Sequence, residues 1–269
     1  MKGLISTILL LGAISTCRAQ TGISLKQAAI LPYDVAYFAT GNTGELFIIT
    51  PENQLKKYDA NGDSVGVFNE VKKFGRLSTV EAQNPWKTIL FYEDFATIVL
   101  LDKYLKITAT IRLREKNIFG VKTATTSYDN YIWIFDPGDS KIKKIDNNGN
   151  TLLSSTDLRQ VMSSVPNPDR IIDNDGLLYL YDPHQGVFIF DYYGAFKSLL
   201  PYKGWDYLFV SGKRITGIDK KMLYQYTPPL PVAIETELPP AIQNASLLSI
   251  SNRKLYVLKE GILSVYNIE

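Results

Sequence analysis

The strongest constraint on this chain is a unit of about forty-two residues that recurs along it. Gly44-Glu45-Leu46-Phe47-Ile48-Ile49 leads to Leu55-Lys56-Lys57-Tyr58-Asp59-Ala60-Asn61-Gly62. Asn130-Tyr131-Ile132-Trp133-Ile134-Phe135 leads to Ile142-Lys143-Lys144-Ile145-Asp146-Asn147-Asn148-Gly149, and Gly176-Leu177-Leu178-Tyr179-Leu180-Tyr181 to Val187-Phe188-Ile189-Phe190-Asp191-Tyr192-Tyr193-Gly194. Each unit is an apolar strand, a short polar turn, and a second strand closing on Asp-x-x-Gly. That closure is hairpin chemistry: Asp folds back on its own backbone, and Gly takes the positive φ that ends the turn.

Weaker copies fill the gaps: Ile89–Tyr92 with Ile98–Asp102, Ile215–Ile218 with Leu223–Thr227, and Leu255–Leu258 with Leu263–Asn267. Aligning Asp59, Asp102, Asp146, Asp191, Thr227 and Asn267 as corner residues gives spacings of 43, 44, 45, 36 and 40. Several short strands per unit at this period predict an all-β fold, a six-bladed β-propeller of four-stranded antiparallel blades. A β-sandwich has no reason to repeat at constant spacing. The last repeat ends after its third strand, so residues 22–27 are expected to supply the outer strand of blade six and close the ring. The first strand of blade one is expected around Val35–Thr40.

On these residues the chain resembles the NHL-repeat class of six-bladed propellers of the bacterial cell envelope, best in blades one, three and four. The resemblance implies architecture and little else, because members of the class range from hydrolases and lyases to binding platforms.

Residues 1–19 read as a secretory signal peptide, leaving residues 20–269 as the propeller. Lys2 supplies the positive start, Leu4–Ile14 is an apolar run, and Cys17-Arg18-Ala19 places small residues at −3 and −1 of a cut before Gln20. The run is about half the roughly 20 residues that span a bilayer, so no transmembrane segment is expected in the mature chain. Ile14-Ser15-Thr16-Cys17 faintly resembles a lipoprotein box, but Thr16 fits it poorly. Cleavage after Ala19 removes Cys17, the only cysteine, and with it disulfides and thiolate sites. It also leaves 27 basic and 27 acidic residues, a neutral chain with no footprint for nucleic acid. The destination is the periplasm or the exterior.

Catalytic groups are sparse. His184 is the only histidine, too few for the multi-histidine metal sites of lyase-type propellers. Asp169, Asp173 and Asp175 form the densest acidic cluster, read as a loop leading into blade four rather than a calcium loop. The corner aspartates sit at one place in separate blades and cannot converge on an ion. No cofactor or metal is expected.

Aromatic residues are abundant, with 17 Tyr and 12 Phe, and most fall on strands where blades pack. Two groups fall outside. Tyr202, Trp205 and Tyr207 lie in a glycine-containing connection between blades four and five, and Tyr192 and Tyr193 fill the middle of a corner. Exposed Trp and Tyr make good contact anchors, so these five are the candidate protein-contact residues. The expectation is a non-enzymatic exported propeller that scaffolds another envelope or extracellular protein. By fold analogy alone, an outer-membrane secretion or transport assembly would be such a setting. A calcium-dependent lactonase-like hydrolase and a glycan-binding module are the alternatives.

Overall fold

The computed structural model describes residues 25–31 and 34–268. Six four-stranded antiparallel sheets form a ring. Blade one comprises Tyr37–Thr40, Leu46–Ile49, Leu55–Tyr58 and Ser64–Phe68, from the axis outward. Blade two comprises Thr79–Asn84, Lys87–Tyr92, Thr97–Leu101 and Ile107–Arg112, and blade three Ala124–Thr126, Ile132–Asp136, Lys141–Ile145 and Thr151–Ser154. Blade four holds Arg170–Asn174, Leu177–Asp182, Gly186–Asp191 and Phe196–Leu200, and blade five Tyr207–Ser211, Arg214–Ile218, Met222–Tyr226 and Ile234–Glu237. Blade six has Leu247–Ser251, Lys254–Lys259 and Ile262–Ile268 from the C-terminal end. Its outermost strand is Leu25–Ile30, with Leu25 opposite Ile268 and Ile30 opposite Ser264. The pairing strand therefore lies three residues later than expected. Residues 22–24, the signal segment and Cys17 lie outside the described residues.

The hydrophobic pattern explains the ring. Leu46–Ile49 and Ile132–Asp136 are buried at every residue instead of alternating, which requires cover on both faces. Neighbouring blades supply it, since each of the six core clusters draws side chains from two adjacent blades. Trp133 and Phe135 of blade three, for instance, pack with Leu178, Leu180 and Phe188 of blade four. First strands of blades one to five touch in sequence around the axis, and that of blade one meets that of blade six. No helix among the described residues is long and apolar enough to cross a membrane.

The Asp corners form as their chemistry dictates. Asp146 Oδ1 accepts from the N–H groups of Asn148 and Asn150, each at 2.8 Å. Asp59, Asp102 and Asp191 accept from the residues two and four onward in the same way. In blade two, Leu105 (φ 65°) stands where the other corners carry glycine. Two of the expected corners do not form. Asn267 continues the last strand opposite Lys26 and Lys254, and Thr227 opens a proline-rich connection to the outer strand of blade five. Neither ends in a tight turn, so neither needs the glycine that is missing there.

Candidate functional site

In a four-stranded antiparallel blade, the turn joining strands one and two and the turn joining strands three and four emerge at the same end. On blades two to four these turns raise large aromatic side chains into solvent: Tyr193 is 82%, Trp86 70%, Tyr128 67% and Tyr104 61% exposed. Tyr104 and Tyr193 hold the same slot, two residues after a corner aspartate whose carboxylate binds their N–H. That bond fixes the backbone and leaves the ring to project outward. Lys103 Nζ lies 5.0 Å from the Trp86 ring and 4.8 Å from that of Tyr104, linking the two turns of blade two.

Between blades two, three and four this face sinks into a groove of about 640 Å³, lined among others by Gln83, Asn84, Thr126, Tyr128, Asp173 and Tyr192. Tyr128 stacks on Tyr192 with centroids 4.7 Å apart and planes within 3°. Asp173 organises the wall. It accepts from Trp133 Nε1 at 2.9 Å, from the Tyr128 N–H at 3.3 Å, and from the Tyr192 hydroxyl. Burial and then the Asp173 carboxylate push the Tyr192 phenol well above its ordinary range, keeping it a donor. Lys144 Nζ stands 4.6 Å from the Trp133 ring and 4.9 Å from that of Tyr128, and pairs with Asp129 at 2.7 Å. Burial would raise Asp129, but bonding to Lys144 holds it below the usual carboxylate range. Beneath the floor, Glu81 accepts from Thr126 Oγ1 at 2.5 Å and from the Gln83 N–H at 2.9 Å, and burial raises its carboxyl.

The five expected contact residues separate. Tyr193 is exposed on this face. Tyr192 does not project outward as expected: the hydrogen bond to Asp173 and the stack on Tyr128 draw it down as groove wall. Trp205 does not reach solvent. At 4% exposure it stacks on Tyr202 at 5.1 Å, and its backbone N–H and C=O are both bonded to the Tyr181 hydroxyl, at 2.6 and 3.0 Å. Tyr207 is buried against blade six, and Tyr202 is half-buried, accepting from the Ala233 N–H at 2.9 Å. Residues 202–207 looked like an exposed loop because the packing that covers Trp205 comes from Tyr181 and Tyr224, remote in sequence. Asp173 and Asn174 belong to the inner strand of blade four, not a loop, and Asp169 pairs with Lys122.

Sequence reasoning passed over Trp86, Tyr104 and Tyr128. Tyr104 was detectable, since it shares the corner slot of Tyr193. Trp86 and Tyr128 sit in the turns between first and second strands, where the repeat marks only the positive-φ residue that ends the turn, as at Gly44, Asn130 and Gly176. His184 is exposed, its N–H bonded to Asp182. Among the described residues no three His, Cys, Asp or Glu side chains gather as metal ligands.

No family model and no curated protein matches the sequence. Solved structures do. A catalytically inactive virginiamycin B lyase from Staphylococcus aureus, with quinupristin, aligns over 92% of this chain and 100% of that one, at 12% identity and TM-score 0.62. The β-propeller domain of Cps50 (Swd1) from Myceliophteria thermophila aligns over 91% and 100%, at 6% identity and TM-score 0.61. BamB from Moraxella catarrhalis is a looser match, over 86% and 68%, at 16% identity and TM-score 0.49. At these identities the likeness shows the fold alone.

Proposed function

We propose that this chain is an exported, non-enzymatic propeller that binds another envelope or extracellular protein, as a scaffold or an accessory subunit of an envelope assembly. One observation carries the reading: Trp86, Tyr104, Tyr128 and Tyr193, from three adjacent blades, are exposed together on one face. Trp and Tyr bury much area at low rotamer cost and dominate binding hot spots. The partner surface that fits is apolar at its centre, to match these rings, and polar at its rim, to meet Gln83, Asn84 and the Lys103 ammonium beside them. Export rests on residues 2–19, and mass spectrometry of the native N-terminus should give Gln20 without lipid.

The test places photo-crosslinking side chains at positions 86, 104 and 193, and at Phe119 on the opposite face, in the full chain expressed in its native envelope. One protein should be trapped from the first three positions and not from Phe119. Trp86→Ala with Tyr193→Ala should weaken its binding by more than about 2 kcal/mol with melting unchanged. Crosslinking dominated by Phe119, or unchanged affinity of the double variant, would overturn this face.

A further inference from the structure

Tyr37, Arg170 and Tyr207 each open the inner strand of their blade, opposite Ile49, Tyr181 and Ile218 of the second strands. They therefore stand at one height around the channel, at the mouth opposite the aromatic face. In a ring of six, blade one faces blade four across the axis, and blade five adjoins blade four. Thr79, Ala124 and Leu247 begin the inner strands of blades two, three and six and add no charge, whereas the Asp206 carboxylate beside Tyr207 adds a negative one.

The polar groups here are incompletely used. The Arg170 guanidinium carbon lies 5.4 Å from the centre of the Tyr207 ring, and one of its N–H groups donates to the Asp206 carbonyl at 3.0 Å. Among the described residues it has no carboxylate partner, while neighbouring Asp169 is taken by Lys122 at 3.2 Å. The Tyr37 and Tyr207 hydroxyls have no hydrogen-bond partner among the described residues, although Tyr207 is otherwise buried. Neither hydroxyl is a buried orphan, since among the described residues only Glu45 Oε2 and Ser127 Oγ are, so both open to the channel and are free to donate to a bound acceptor. Burial raises both phenols, Tyr207 to about 12 with the Asp206 carboxylate adding to the rise, and the Arg170 charge acts on both in the opposite direction. Both remain protonated, and both feel the same cation.

We propose that this channel mouth binds a single carboxylate, held by the Arg170 fork with the Tyr37 and Tyr207 hydroxyls as further donors. A planar fork matches a carboxylate bidentately, which a point charge cannot do. The site is separate from the protein-contact face and does not depend on it. The carboxylate belongs either to a small free acid or to the C-terminus of a peptide.

The test measures binding to the full mature chain by saturation-transfer NMR and thermal melting, at ionic strength matched with sodium chloride. The probes are sodium acetate, acetyl-glycyl-glycine, and the same peptide amidated. Both acids should bind and raise the melting temperature, and the amide should do neither. Tighter binding of the peptide than of acetate assigns a chain terminus, and equal binding a free acid. Arg170→Lys keeps the charge without the fork and should bind about tenfold more weakly. Arg170→Gln should abolish binding, and Tyr37→Phe should weaken it several-fold. A purely structural Arg170 would lower melting in Arg170→Gln yet leave the response to acetate unchanged. That result, or equal binding of acid and amide, would overturn the proposal.

Discussion

The Trp205 indole covers Gly217 so closely that a methyl group there would stand 1.9 Å from ring atom Cδ2 and 2.2 Å from Cε2. Glycine at 217 is therefore a packing requirement, since its φ is not positive. Trp205→Ala should cost about 3–5 kcal/mol, the usual loss for a buried tryptophan. Gly217→Ala should also destabilise, because the ring must move. The double variant should be more stable than the sum of the two losses predicts, as the added methyl occupies vacated space. Urea denaturation of all four proteins decides this, and strict additivity would show that the two residues do not meet.

Gly149 should be far less replaceable than Asn148 in the same corner. Its φ is +78°, and a Cβ would lie 2.6 Å from Ile111 Cγ2 of blade two. Gly149→Val combines left-handed strain of roughly 1–3 kcal/mol with that collision, whereas Asn148→Ser changes an exposed side chain. Calorimetry should show a fall of several degrees for the first and little change for the second.

Lys143 bonds Asp136 at 2.6 Å and Asp139 at 2.5 Å, and only Asp139 is exposed. Burial would lower the Lys143 ammonium, but the two carboxylates hold it above its ordinary value. Lys143→Met should cost about 3–5 kcal/mol by stranding the buried Asp136 charge. Lys143→Met with Asp136→Leu should recover much of that loss. Recovery absent from the denaturation midpoints would mean that the stranded charge is not the cause.

Asp182 couples stability to pH. Burial would raise its carboxyl, but it accepts from the Asn167 N–H at 2.9 Å, the His184 N–H at 2.8 Å and Gln185 Nε2 at 2.8 Å, and rests below its ordinary 3.8. A lowered folded-state value contributes stability above the unfolded value and loses it as pH falls through the folded one. Asp182→Asn should be less stable than wild type by about 1.5–3 kcal/mol at pH 7. The gap should narrow below about pH 4, where the wild-type carboxyl titrates. A gap constant with pH would assign the loss to geometry instead of charge.

Removing residues 20–30 should destabilise the whole ring. Leu25–Ile30 is the outer strand of blade six, and without it Ile262–Ile268 becomes an open edge. The expected loss is several kcal/mol out of a typical total of about 5–15 kcal/mol. Unchanged cooperative melting of the shortened chain would show that closure rests on the contact between blades one and six alone.

The sequence by itself determined the strand pattern, the number of blades and the Asp-x-x-Gly corners. These are local matters: a carboxylate two residues from the N–H it binds, a glycine where φ must be positive, and apolar runs that need cover on both faces. The same local logic placed Tyr193 in solvent, and it extends to Tyr104 through the shared corner slot. Only the tertiary structure decided which other aromatics stay exposed, because that depends on the neighbouring blade. Trp205 is covered by Tyr181 and Tyr224 and fits only because position 217 has no side chain. Tyr192 occupies the slot beside Tyr193, yet Asp173, nineteen residues earlier, captures its hydroxyl and turns it into the groove. Local turn chemistry fixes where a backbone goes; the packing of one blade on the next fixes where a side chain ends.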